Sequence, residues 1–172
     1  DLDWIVTVPN MDPHIKQFEL LEESSQHVIL RTGFEAVIKK QFADPMPAFL
    51  RFETDTIEKM AAFKFDDPRD DRRYFDAGDN QIAGVGDGFA RNSPPWVETV
   101  NSLHPDFPVY GSVCEGQEML WRIIGSENVM LWIRLYPDEL ARFIERIGEF
   151  ALGITKAQIK ASAERLDGMV IW

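Results

Sequence analysis

From Phe107 to Trp172 the sequence sets out a strand, three helical stretches and a second strand, an order that few folds satisfy. Pro108-Val109-Tyr110-Gly111-Ser112-Val113 is a short apolar run that reads as one buried strand. Cys114-Glu115-Gly116 breaks it, and helical patterns follow over Gln117–Ile124 and Glu127–Leu135, interrupted by Gly125-Ser126. Pro137-Asp138 then opens a long amphipathic helix to about Ala163. Its apolar residues Leu140, Phe143, Ile144, Ile147, Phe150, Ala151 and Ile154 recur at steps of three and four, which predicts one buried face with Glu145 and Glu149 exposed. Asp167-Gly168-Met169-Val170-Ile171-Trp172 reads as a second buried strand. Parallel neighbours need a long connection, so strand, helices and strand predict a parallel βαβ crossover.

Upstream, Leu2–Val8 reads as a strand ended by Pro9-Asn10, and Asp12-Pro13 as the start of a helix to about Glu23 with Ile15, Phe18, Leu20 and Leu21 on its stripe. Val28–Arg31 and Ala36–Lys39 flank Thr32-Gly33-Phe34 as a β-hairpin. With a third extended piece at Pro47–Glu53, residues 27–53 form an insertion between the strands on either side. Asp55-Thr56-Ile57-Glu58 is a capping pattern with Asp55 as the cap. The run Asp66–Asp79, with Arg69, Arg72 and Arg73 interleaved, reads as a solvated charged face; it does not match a calcium loop. Ala83–Gly88 lacks the Lys-Ser/Thr of a phosphate-binding loop and reads as a mobile loop. Pro94-Pro95-Trp96 starts a helix to about His104, with Trp96, Val100 and Leu103 on one face.

The 172 residues suffice for one domain with a real core. A net charge of −11 disfavours nucleic acid and anionic membranes as partners. No apolar run approaches the roughly 20 residues of a membrane helix, and no signal peptide is visible. The single cysteine, Cys114, excludes an internal disulfide and fits a reducing, cytoplasmic setting. His14, His27 and His104 are far apart, and no paired cysteines or His-x-Cys occur, so no metal site is expected within this segment.

The stretch VYGSVCEGQEMLWRIIGSENVMLWIRLYPDEL, Val109–Leu140, resembles the middle of the uroporphyrinogen decarboxylase family, which also contains cobamide-dependent methyltransferases. The likeness lies in the order of features: a strand, a Gly-containing turn, an aromatic-rich helix, a Gly-x-Glu-Asn step (Gly125-Ser126-Glu127-Asn128), a long helix and another strand. It is best over residues 107–172 and looser over Glu19–Asp70. It implies a (β/α)8 TIM barrel. Such a barrel takes about 250 residues, so the chain is expected to be a partial barrel segment, 1–172, with parallel strands and the 27–53 hairpin covering the mouth. The chain begins at Asp1 inside an apolar run and stops at Trp172 beside a strand, which fits a segment.

The resemblance also implies an activity, decarboxylation of tetrapyrrole acetate side chains, and a site at the C-terminal ends of the strands. Glu115 and Trp121 are the candidate catalytic residues there, and Cys114, Ser112 and Arg122 the candidate substrate-binding ones. Trp121 stands where the decarboxylases carry a substrate-facing tyrosine; indole only donates a hydrogen bond, whereas tyrosine also accepts. The family's catalytic aspartate would fall near Thr7-Val8-Pro9, which has none. Strict decarboxylation of uroporphyrinogen is therefore not expected. The alternatives are a corrinoid-dependent methyl transfer, for which zinc or corrinoid would be bound beyond Trp172, and a non-catalytic binding or assembly module. The implied partners are a small molecule, a tetrapyrrole or a methyl donor, and a second copy of the chain meeting it through exposed strand edges.

Overall fold

The computed structural model describes residues 4–77, 93–103 and 106–171. They form a mixed α/β structure with two sheets. The first is parallel, in the order β1 (Ile5–Val6), β6 (Val109–Val113), β7 (Gly168–Ile171). The second is antiparallel, in the order β2 (Phe18–Glu23), β3 (His27–Thr32), β4 (Ala36–Gln41), β5 (Ala48–Phe52). The hairpin and third strand expected over residues 27–53 are thus present, and β2 adds a fourth strand. The glycine-rich Ala83–Gly88, Asp79 and His104 lie outside the described residues.

β6 is connected to β7 by α4 (Gly116–Ile124), α5 (Ser126–Leu135) and α6 (Pro137–Ala161), the crossover that the apolar periodicity predicts. Along α6, Leu140, Phe143, Ile147, Phe150 and Ile154 are buried, and they meet Met119, Leu120, Ile123 and Ile124 of α4 in the main core. Each such side chain contributes roughly 1.5–3 kcal/mol by leaving water. The buried stripe is narrower than the sequence suggests. Ile144 is 43% exposed, because the residues directly beneath α6 lie one step round the helix at Phe143 and Ile147. β7 is likewise less buried than predicted, since it forms one edge of the three-stranded sheet and leaves Ile171 exposed.

The largest departure is at residues 12–23. No helix forms there; the chain bends through residues 12–15 and enters β2. The cause lies some sixty positions away. Arg73, on the short helix α2 (Arg72–Phe75), is 2% exposed and directs its guanidinium at five backbone carbonyls. Nε donates to Asp67 at 3.0 Å, Nη1 to Asn10 and Asp12 at 3.2 and 2.7 Å, and Nη2 to Pro13 and Asp66 at 3.3 Å each. The Pro13 carbonyl also accepts from the Asp66 amide at 2.9 Å. Carbonyls held this way cannot accept the bonds of a helical first turn. Arg73 and Tyr74 are therefore buried, although the rest of the run presents exposed pairs such as Asp67–Arg69 and Asp70–Arg72.

One smaller correction follows the same logic of local bonding. Thr56, not Asp55, caps α1 (Ile57–Ala62), accepting from the Lys59 amide, while Asp55 pairs with the Lys59 ammonium at 2.5 Å. The helix α3 (Trp96–Ser102) forms where Pro94-Pro95 predicts it, burying Trp96 and Val100.

At the centre of the parallel sheet, Tyr110 gives its carbonyl to the Thr7 amide at 2.8 Å. Ser112, two residues on, faces the same way, but β1 has ended. The buried Gln158 of α6 takes its place: Oε1 accepts from the Ser112 amide at 3.1 Å and Nε2 donates to its carbonyl at 2.8 Å. Gly111 permits this approach, since a Cβ there would stand 2.6 Å from Gln158 Oε1. Among the described residues no helix is long and apolar enough to cross a membrane.

Candidate functional site

β1 and β6 run parallel, so the segments that follow them, residues 8–15 and 114–118, emerge at one end of the sheet. The hairpin turn Thr32-Gly33-Phe34 docks against the first of these. The Gly33 amide donates to Gln17 at 2.7 Å, and the His14 amide donates to Gly33 at 3.1 Å. The fit is close enough that a Cβ on Gly33 would lie 2.8 Å from the Asp12 Cβ. Phe34 lies under the Arg122 guanidinium, 5.4 Å from its centre.

Asp12 is the residue that sequence reasoning passed over, because it was read as the first turn of a helix. Its side chain accepts a hydrogen bond from Gln17, and burial pushes its carboxyl up to about 7, against the opposing pull of Arg122 and Arg73. The expected helix rests on Asp12-Pro13 and on the stripe Ile15, Phe18, Leu20 and Leu21, and it leaves Asp12 no more than a first-turn residue. A signal lay in the sequence nonetheless: an aspartate a few residues past a strand end is where parallel sheets place their chemistry.

Of the expected site residues, Arg122 and Cys114 are near enough to Asp12 for their charges to act on one another. Cys114 is buried at the end of β6, and burial, with Glu118 next, pushes its thiol up to about 12. Arg122 forms an ion pair with Glu118 one turn back on α4. Its Nε is buried without an acceptor among the described residues. Trp121 lies 5.3 Å from the Phe49 ring, at 69°, and 5.7 Å from the Arg122 guanidinium. Glu115 caps α4, its carboxylate accepting from the Gln117 and Glu118 amides at 2.8 and 2.6 Å. Ser112 is buried, with Oγ donating to the Thr7 carbonyl at 2.8 Å. Glu115 and Ser112 are thus committed to the fold, whereas Asp12, Cys114, Glu118 and Arg122 are near enough for their charges to act on one another. Among the described residues no three His, Cys, Asp or Glu side chains are grouped to hold a metal ion.

A thiol so far above neutrality has almost no nucleophilic form. Native Cys114 is expected to react with iodoacetamide at pH 8 at least about 100-fold more slowly than after unfolding in urea, since the thiolate is the reacting species. Comparable rates before and after unfolding, followed by mass spectrometry, would refute the burial argument.

Fold and site define an α/β protein with a half-buried aspartate beside an arginine at the C-terminal end of a parallel sheet. Comparison with protein-family models, with curated proteins and with solved structures returned no match.

Proposed function

We propose that the chain forms part of a (β/α)8 barrel of the uroporphyrinogen decarboxylase type, and that the ends of β1 and β6 bind a carboxylated tetrapyrrole. The carrying observation is Asp12, a carboxyl at the strand end whose pKa of about 7 leaves acid and carboxylate both populated at neutral pH. In the carboxylate form it accepts pyrrole N–H bonds and opposes the positive charge that develops when the ring is protonated. Arg122, whose charge acts on Asp12 and whose side chain is partly exposed, suits a substrate carboxylate. Decarboxylation breaks the bond between the acetate methylene and its carboxylate; carbon dioxide leaves, and a proton takes its place on the methylene carbon. Trp121, unable to accept a hydrogen bond, makes turnover of uroporphyrinogen itself slow in this reading.

Anaerobic equilibrium dialysis of the purified chain with uroporphyrinogen, with chromatography of the oxidised products, tests this. The expected result is saturable binding with only traces of coproporphyrinogen. No saturable binding would overturn the proposal, and rapid product formation would overturn the role given to Trp121.

A further inference from the structure

Among the described residues nothing covers one side of α6. Ala141, Ile144, Gly148, Leu152, Thr155 and Ile159 recur at steps of three and four, on a face next to the buried one. This stripe runs about 27 Å along the helix without a charged residue. Ile144, Leu152 and Ile159 on it are 43–53% exposed. Thr155 donates its hydroxyl to the Ala151 carbonyl at 2.9 Å, so it needs no water there. Gly148 stands at the middle. Glycine in a helix interior is destabilising relative to alanine. The other glycine of α6, Gly153, has a local reason, since a Cβ there would stand 2.5 Å from Pro68 Cγ. A Cβ on Gly148 would meet nothing within 4 Å, so the close approach that this glycine permits is unused among the described residues.

We propose that a second copy of the chain docks on this face, α6 against α6, antiparallel about a two-fold axis at Gly148. The stripe is symmetric about that point. Ile144 and Leu152 lie four residues either side of Gly148, and Ala141 and Thr155 seven, so the axis sets each against the other member of its pair in the second copy. Gly148 lets the helices close to the roughly 8 Å lower end of helix packing, at the shallow crossing of about 20° that a long straight stripe suits. The charges beside the stripe choose the partner. Asp138 lies ten residues before Gly148, and Lys156 and Lys160 eight and twelve after it, on the same flank. All three are exposed and have no ion-pair partner among the described residues, whereas Arg142 on that flank is held by Glu139 at 3.3 Å. The antiparallel arrangement places Asp138 of one copy between Lys156 and Lys160 of the other. Each copy carries a net charge of −11, so a second one is admitted only where opposite charges meet. Glu145 and Glu149, nearer the axis, oppose the contact and keep it reversible. The inference does not depend on the reading of the β1–β6 site, and it places the second copy on a helix face and not on a strand edge.

Sedimentation equilibrium of the purified full chain tests this, with far-UV circular dichroism confirming that each variant is folded. The expected result is a monomer–dimer equilibrium with a dissociation constant on the order of 10 μM. Leu152→Glu alters a side chain already half exposed and should weaken the dimer at least about 100-fold. Gly148→Leu adds apolar surface yet should weaken it at least about tenfold, because the helices can no longer close. Asp138→Lys and Lys160→Asp should each weaken it, and the two together should restore it. A chain that stays monomeric up to about 1 mM would overturn the proposal. So would a dimer indifferent to Leu152→Glu, which places the contact elsewhere, such as at a strand edge. Tighter association of Gly148→Leu would reveal unspecific apolar adhesion, and a double charge variant weaker than either single one would refute the antiparallel register.

Discussion

Replacing Arg73 by methionine is expected to remove about 3–5 kcal/mol of stability, a large share of the roughly 5–15 kcal/mol of a typical domain. Methionine fills similar space, so the loss comes from polarity rather than a cavity. Five carbonyls lose the guanidinium: those of Asn10, Asp12 and Asp66 lose the donor described above, while those of Pro13 and Asp67 each keep one backbone amide, and the vacated site is one where the side chain is only 2% exposed. The substitution also removes the cation lying 5.2 Å from the Phe150 ring centre, which ties this loop cluster to α6. Arg73→Lys keeps the charge but has three donors on one atom and cannot reproduce the planar fork, so it should fall between wild type and methionine. Equilibrium urea unfolding checks this. A loss below about 1 kcal/mol in Arg73→Met would show that the carbonyls find water or other donors.

Asp12→Asn is expected to act in two opposite directions. The folded carboxyl titrates near 7 and its ordinary value is 3.8, so between these the folded state holds a proton that the unfolded state has lost. Stability contributed by Asp12 therefore falls as pH rises from about 3.8 to about 7, and the penalty is complete above that. Asparagine does not ionise, so the variant should match wild type at pH 4 and gain on the order of 2 kcal/mol at pH 8, discounted for the part of the residue that water reaches. Binding of a tetrapyrrole at the β1–β6 end should meanwhile weaken by about 100-fold, about 2.7 kcal/mol, as a charged acceptor is lost. A variant no more stable than wild type at pH 8 would refute the buried-carboxyl account. Unchanged tetrapyrrole binding in a folded variant would remove Asp12 from the site.

These two residues also mark where the sequence stopped being legible. From Phe107 onward, element limits agree with the apolar periodicity to within a few residues, because Gly125, Pro137 and the three-and-four spacing are local signals. The hairpin at residues 27–53 was legible for the same reason. Residues 12–23 were not, since Leu20, Leu21 and the neighbouring glutamates favour a helix that the distant Arg73 and the pairing with β3 override. Within the charged run, composition cannot distinguish Arg73 from Arg69; the first lies under the 10–13 loop and the second in water. The candidate site was half visible. Cys114 and Arg122 follow from the strand end and the helix after it, but Asp12 joins them only through the fold of β1 and the docking of Gly33.

The Gln158 carboxamide is in effect a peptide group carried on a stalk from the crossover helix into the sheet. Both of its bonds end on one residue, so α6 is keyed to β6 at a single register. Sliding the helix by one residue, about 1.5 Å, would break both bonds together and leave the Ser112 amide and carbonyl buried and unmatched. Helix and strand therefore open as one unit: the Ser112 amide can meet water only when α6 lifts away, which couples the floor of the β1–β6 site to the docking of a 25-residue helix.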